Sequence, residues 1–248
     1  MASASSTIDV QAPAGPISVE LFTPHNPPHG PVPGVVMIHD ISGPVADLRR
    51  IAQKVADQGY LVALPDLYAR GGKSKCLVGT VRAMLSGRGS AFDDIAALRA
   101  ALAADPRCTG RTAITGFCLG GGFALLFAPR EQFDVSAPFY PSNMIRGKLP
   151  KGFEELLERA CPVVASLGGR DPLLGKKAGT VLERALARHG VPHDVKVYPD
   201  AGHSFANQFP EPVGTLARVA GFGYEHQSAE DAWERVFRFF EEHLLPSS

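Results

Sequence analysis

The sequence has no long apolar run and no excess of charge of either sign. No apolar stretch could span a bilayer, and residues 1–6 have neither the basic nor the apolar region of a secretory signal. The 25 basic residues balance the 25 acidic residues, so no long-range field draws nucleic acid or an anionic membrane surface to the protein. We therefore expect a cytoplasmic protein, a monomer or weak homo-oligomer, that binds neither nucleic acid nor membranes.

Cysteine is also scarce, and its distribution excludes two common roles. The four cysteines are far apart, without the spacing of a metal site or of a disulfide framework. We therefore expect no bound metal and free thiols, as is usual in a reducing compartment. The cysteines are Cys76, Cys108, Cys118 and Cys161.

Short apolar runs alternate with segments of helical periodicity. Residues 35–38 predict a buried strand, and apolar residues between Val45 and Val55 then recur at helical spacing until Gly59 ends the helix. This alternation predicts an α/β fold with a mostly parallel central sheet and helices on both faces, which residues 1–248 form as one domain. Further strands are predicted over residues 17–22, 61–64, 111–115, 135–140, 163–167 and 195–198, and further helices over 91–104, 123–127 and 176–189, from Ser228 onward, and around 213–219.

One cysteine lies in a pattern that indicates a reactive role. Residues 113–115 predict the end of a strand, and the pentapeptide GFCLG at residues 116–120 follows directly. A nucleophile on a sharp strand-to-helix turn needs small neighbours, because its backbone is strained and packs closely on adjacent elements. Cys118 is therefore a candidate nucleophile. Taken alone, it could also be a small buried apolar residue, which is our interpretation of the other three cysteines.

An acidic residue and a histidine follow Cys118 in the order that α/β-hydrolases use. Asp171 comes just after the predicted strand at residues 163–167, and His203 just after the strand at 195–198. A histidine within hydrogen-bond reach would take the thiol proton, and the carboxylate would orient the imidazole. Separately, the acid could be a turn residue before proline and the histidine a loop residue. Their joint placement predicts a catalytic triad.

Backbone amides near the turn complete the predicted site. The N–H of Leu119, at the start of the helix after Cys118, is a candidate oxyanion donor. Ile41, on the loop after the strand at 35–38, is the expected source of the second donor. His39, at the end of that strand, could touch the pocket, but a structural role fits it equally well.

Six short motifs carry a family resemblance. They are HDISG at residues 39–43, DQGY at 57–60, PDLYAR at 65–70, the cysteine turn, GGRD at 168–171 and AGHSFA at 201–206. In these motifs the chain closely resembles the dienelactone hydrolase family, the cysteine branch of the α/β-hydrolases. The resemblance implies an α/β-hydrolase fold and hydrolysis of a small lactone or ester through a thioester acyl-enzyme, without a cofactor. It implies Cys118, Asp171 and His203 as the triad, and Leu119 and Ile41 as the oxyanion donors.

The resemblance also indicates residues around the pocket. Family members keep an acid, usually glutamate, that pairs with the resting cysteine; Asp40 matches it, and capping the oxyanion loop is its alternative role. The family binds substrate carboxylates with arginines, but one of these positions holds Asn207 here. Arg82 is the best remaining candidate cation and Arg88 the next, although either could be a surface charge. Tyr140 is expected to wall the pocket or to belong to the core.

Three functions stay open from the sequence alone. The leading hypothesis is a hydrolase that opens a small lactone or ester, as the family resemblance implies. Asn207 motivates the second, an esterase or thioesterase for uncharged acyl substrates. The third is a non-catalytic module for redox sensing or binding, in which Cys118 is oxidised reversibly.

Overall fold

The central element of the protein is an eight-stranded sheet. A computed structural model describes residues 5–212, 214–215 and 220–245. The strands lie side by side in the order β1-β2-β4-β3-β5-β6-β7-β8. They are β1 (Ser5–Ala12), β2 (Gly15–Phe22), β3 (Val32–Ile38), β4 (Leu61–Pro65), β5 (Cys108–Phe117), β6 (Val135–Phe139), β7 (Val163–Gly168) and β8 (His193–Tyr198).

The sheet is mostly parallel, as predicted. Strands β3 to β8 pair in parallel, whereas β1 and β2 form an antiparallel hairpin whose second strand pairs antiparallel with β4. In the parallel part, Ile38 of β3 lies beside Gly116 of β5, and Phe117 lies beside Phe139 of β6. The carboxyl ends of these strands therefore meet at one edge of the sheet, where loops from different strands come together.

Helices pack around this sheet, and their positions agree with the predicted α/β-hydrolase fold. Among the described helices, none combines the length and apolarity needed to cross a membrane. The helices are α1 (Ala46–Ala56), α2 (Lys73–Ser86), α3 (Ser90–Ala103), α4 (Leu119–Phe127), α5 (Ala178–Arg188) and α6 (His226–Leu244), with 3-10 turns at Ala128–Arg130, Ile145–Gly147 and Glu154–Arg159. The helix predicted around residues 213–219 falls mostly outside the described residues.

Three local features differ from the sequence-based expectations. Strand β1 and helix α2 were not predicted, because β1 is an edge strand in which only Val10 is buried, and α2 has apolar residues on its exposed side. Helix α6 begins at His226 rather than at Ser228. The carboxylate of Glu225 accepts hydrogen bonds from the N–H groups of Gln227 and Ser228, at 3.2 and 2.8 Å, and so caps the helix two residues earlier.

Helix α4 is buried along its whole length and touches the strands beneath it through backbone atoms. A Cβ on Gly120 would lie 2.1 Å from the carbonyl oxygen of Ile38, and one on Gly121 would lie 2.3 Å from that of Phe139. Real Cβ atoms do not approach backbone oxygens so closely, so only glycine fits these positions. The glycines therefore let the start of α4 sit directly on the ends of β3 and β6.

We expect Gly121→Ala to destabilise the protein by about 3 kcal/mol or more, because neither the new methyl group nor the Phe139 carbonyl can move without shifting β6. Gly79→Ala is the matched control. A Cβ at Gly79, on an exposed part of α2, meets nothing within 4 Å, so this change should be neutral or stabilise by up to about 1 kcal/mol. Urea denaturation measures both free energies of unfolding, and equal values would contradict the close contact.

Candidate active site

Cys118 occupies a strained turn between β5 and α4. Its backbone dihedrals are φ 52° and ψ −107°, a region that a non-glycine residue adopts only under constraint. Its N–H donates to the Phe139 carbonyl at 3.2 Å, and its own carbonyl accepts from the N–H groups of Gly122 and Ser142 at 2.9 and 3.0 Å. These hydrogen bonds hold the turn, and the thiol stays partly exposed at the edge of the sheet.

The loops after β7 and β8 bring Asp171 and His203 together. A Cβ on Gly168 would lie 2.3 Å from the carbonyl oxygen of Gly202, so the two loops pack backbone against backbone. His203 Nδ1 and Asp171 Oδ2 are 2.6 Å apart, and both side chains are buried. The other carboxylate oxygen accepts from the N–H groups of Leu173 and Leu174, at 2.8 and 3.1 Å. The carboxylate is therefore held in one orientation.

The imidazole of His203 favours its protonated form. Burial alone would lower its pKa, but the hydrogen bond with Asp171 and the interaction with Cys118 outweigh burial and raise the pKa to about 9. Apart from Cys118, the buried Nε2 atom has no hydrogen-bond partner in the described part of the chain. The rings of Tyr140 and Phe222 flank the imidazole, with centroids 5.0 and 5.6 Å away. One ring nitrogen is thus bound to a carboxylate, and the other is left available.

The loop after β3 lies next to the cysteine turn. Helix α4 packs through Gly120 against the carbonyls of Ile38 and His39, which places the loop over the first turn of the helix. Leu119 is the first residue of α4, so its N–H belongs to the amides that have no acceptor within the helix. Ile41 is half exposed, and among the described residues its N–H donates to no backbone carbonyl.

Asp40 and His39 have structural partners in this loop. Asp40 is buried, and its Oδ1 atom accepts the N–H of Ser42 at 2.6 Å, which is the capping contact considered from the sequence. His39 Nδ1 lies 2.6 Å from the Asp40 carbonyl oxygen, and its Nε2 accepts the N–H of Leu67 at 3.1 Å. Both nitrogens of His39 are therefore used in holding the loop, and burial lowers its pKa.

The predicted substrate-binding residues fall into two groups, exposed arginines on or just beyond α2 and the buried pair Tyr140 and Asn207. Arg82 is exposed on α2, and Arg88 is exposed just beyond the end of that helix. Tyr140 is completely buried, and its hydroxyl donates to Asn207 Oδ1. The amide nitrogen of Asn207 in turn lies 3.3 Å from Asp47 Oδ2. Tyr140 and Asn207 therefore bind each other, and the amide of Asn207 is occupied by protein groups at both ends.

A groove of about 600 Å³ that Asp40 helps to line was not predicted from the sequence. One wall is the start of α1, and the other is the segment at residues 207–210. The sequence pattern of α1 marks its core-facing residues but carries no signal for the side that faces the groove. Its lining includes Asp40, Val45, Asp47, Arg50, Asn207 and Phe209.

Comparison with known sequences identifies the family. The sequence profile of the dienelactone hydrolase family matches residues 17–244, most of the chain. The chain belongs to the dienelactone hydrolase family. Members of this family are hydrolases that act on ester bonds, and this protein is one of them. Among its relatives, a carboxymethylenebutenolidase from Rhodococcus opacus is 30% identical over 223 residues, which cover 86% of this chain and 82% of the relative.

Solved structures agree with this assignment at the level of the fold. A dienelactone hydrolase-like promiscuous phosphotriesterase from metagenomic libraries superposes with a TM-score of 0.81 at 22% identity, over 99% of this chain and 100% of the other. A thermophilic esterase from Thermogutta terrifontis superposes with a TM-score of 0.67 at 16% identity, over 99% and 95% of the two chains. The α/β-hydrolase fold predicted from the sequence is thus confirmed.

We expect the imidazole of His203 to titrate near pH 9 and Asp171→Asn to move its pKa down toward the ordinary value of 6.5. The reason is that a neutral amide no longer stabilises the imidazolium, whereas burial still opposes it. NMR of ring-labelled histidine measures the shift. Asp200→Asn is the control, because Asp200 is exposed and pairs with Arg170. A His203 pKa that stayed near 9 in Asp171→Asn would contradict the assignment.

Proposed function

We propose that the protein hydrolyses small lactones or esters with Cys118 as nucleophile, His203 as proton carrier and Asp171 as the group that orients the imidazole. The observation that carries the proposal is the buried contact between His203 and Asp171, 2.6 Å long, next to a strained, partly exposed cysteine. A structural role for these three residues would require neither the strain at the cysteine nor a free ring nitrogen on the buried histidine.

The first half of the reaction forms a thioester. The Cys118 sulfur gives up its proton to His203 Nε2 and attacks the carbonyl carbon, which places a negative charge on the carbonyl oxygen. Collapse of this tetrahedral species breaks the bond to the leaving oxygen, and the imidazolium returns its proton to that oxygen, which leaves His203 neutral. The high pKa of His203 supports this order, because it favours the imidazolium while the thiolate reacts.

The second half of the reaction restores the enzyme. A water molecule gives a proton to His203, attacks the thioester carbon and expels the sulfur, which takes the proton back. Asp171 stays ionised throughout and stabilises the imidazolium in both halves. The product is a carboxylic acid, together with the alcohol or enol released in the first half, and in a lactone the two are parts of one molecule.

The N–H groups of Leu119 and Ile41 are the proposed donors to the charged oxygen. Leu119 supports this role because it begins α4, whose amides point away from the helix toward the turn. Ile41 supports it because, within residues 5–212, 214–215 and 220–245, its N–H donates to no backbone carbonyl, and because its loop is held by two further contacts. Its carbonyl accepts the Tyr68 hydroxyl at 3.4 Å, and Asp40 caps the same loop.

We expect Cys118→Ala to lower kcat/KM for 4-nitrophenyl esters by at least about a thousandfold, because the covalent route is lost. Cys76→Ala is the matched control, since Cys76 is also a free, partly exposed thiol, and it should leave the rate unchanged. Rapid quenching of the wild type, followed by mass spectrometry, should find the acyl group on the peptide that contains Cys118. Turnover by Cys118→Ala at the wild-type rate would remove the thiol from the mechanism.

We expect Asp40 to act as the cap of the oxyanion loop. Asp40→Asn keeps an oxygen that can accept the Ser42 N–H, so kcat/KM for an uncharged ester should stay within about threefold of wild type. Asp40→Ala removes the acceptor and should cost about tenfold, the equivalent of one hydrogen bond. Steady-state kinetics on both variants separates the roles, because a large loss in Asp40→Asn would mean that the charge on Asp40 takes part in catalysis.

A further inference from the structure

The groove at the start of α1 lies beside the proposed catalytic site. One of its lining residues, Asp40, directly precedes Ile41. At its other side Asn207 accepts the hydroxyl of Tyr140, whose ring lies against His203 with a centroid distance of 5.0 Å. The lining therefore adjoins the loop of Ile41 and, through Asn207 and Tyr140, the imidazole of His203.

The guanidinium of Arg50 is held by a carboxylate of the same helix. Arg50 Nε and Nη2 donate to Asp47 Oδ1 at 3.0 and 2.7 Å. Asp47 is the more buried partner, because its side chain is 11% exposed and that of Arg50 is 46% exposed. The second oxygen of Asp47 accepts the N–H of Gln208 at 2.9 Å and faces the amide of Asn207. The cation at the groove is thus already neutralised.

The charged lining residues give the groove a net negative charge, and part of its wall is apolar. Asp40 and Asp47 contribute two negative charges, and Arg50 contributes one positive charge, which leaves a net charge of −1 at neutral pH. Val45 and Phe209 provide apolar surface, and Asn207 adds no charge. A carboxylate bound here would lose water and meet a net negative field, whereas an uncharged chain would bury apolar area at no electrostatic cost.

We propose that this groove holds an uncharged, apolar part of the ester, and that Asp47 makes the enzyme discriminate against substrates that carry a free carboxylate. This inference rests on the proposed function, because it describes the substrate of the same Cys118 site. It assigns Asp47 and Arg50 a part in specificity and none in the chemical steps. The preferred substrate class is therefore neutral esters and lactones with an alkyl or aryl substituent.

A matched pair of substrates tests the inference. The 4-nitrophenyl monoester of adipic acid and its methyl ester have the same chain and differ in one charge. At low ionic strength and pH 7.5, the wild type should hydrolyse the methyl ester with a kcat/KM about tenfold higher. Asp47→Asn removes one negative charge and releases Arg50. The ratio of kcat/KM for the methyl ester to kcat/KM for the free acid should therefore fall to about 2 or less. Arg50→Gln leaves Asp47 unneutralised, so the ratio should rise at least about threefold.

The neighbouring ion pair on α1 supplies the control. Arg49 pairs with Glu20 of β2 outside the groove, so Glu20→Gln should leave the ratio as in the wild type. The inference is overturned if the wild type prefers the free acid, or if Asp47→Asn and Arg50→Gln both leave the ratio unchanged. The two proposals fail separately. If Cys118→Ala is inactive but the ratio of the two kcat/KM values is the same in wild type, Asp47→Asn and Arg50→Gln, only the groove assignment is rejected. If Cys118→Ala is active, the catalytic proposal is rejected.

Discussion

The direct backbone contact between the start of α4 and the ends of β3 and β6 is the constraint on which the rest of the site depends. Because Gly120 and Gly121 carry no side chains, the helix begins immediately above the sheet edge. The chain then has a single residue in which to reverse direction, and Cys118 takes a positive φ to do so. Such strain costs on the order of 1–3 kcal/mol and persists because hydrogen bonds to the end of β6, to the loop after it and to Gly122 of α4 hold the turn. The same contact brings the loop after β3 beside the thiol.

The second requirement is electrostatic. An imidazolium buried without a partner would be unstable, and burial does act against protonation of His203. Asp171 reverses this balance because its carboxylate is itself buried and fixed by two backbone N–H groups, so it cannot turn away to water. The exposed Asp200 is bound to Arg170 and could not provide the same compensation, although it lies nearer to the histidine in sequence. The fixed carboxylate of Asp171 therefore holds the imidazole of His203 in one orientation.

The sequence predicts those parts of the structure that depend on local patterns. Buried strands such as residues 35–38 and 163–167, and the glycines around Cys118, leave signals within a few residues. The fold class and most of the element order could therefore be predicted from the sequence. Helix α2 and strand β1 lack a clear apolar periodicity, since much of each is exposed, and were missed. The contact between Asn207 and Asp47 could not be predicted either, because the two residues are 160 positions apart in the sequence.

This division between local and long-range determinants also explains how members of one family can share chemistry and differ in substrate. The nucleophile turn and the buried acid depend on backbone packing, which tolerates few changes. The groove depends on side chains of α1 and of residues 207–210, most of which are exposed or half-buried and can change without disturbing the sheet. With asparagine at 207 and Arg50 neutralised by Asp47, the rim offers no free cation among the groove residues named above. A carboxylate would need such a cation to offset its lost hydration, so in the proposed assignment the charge balance of the groove, rather than Cys118, Asp171 and His203, selects among esters.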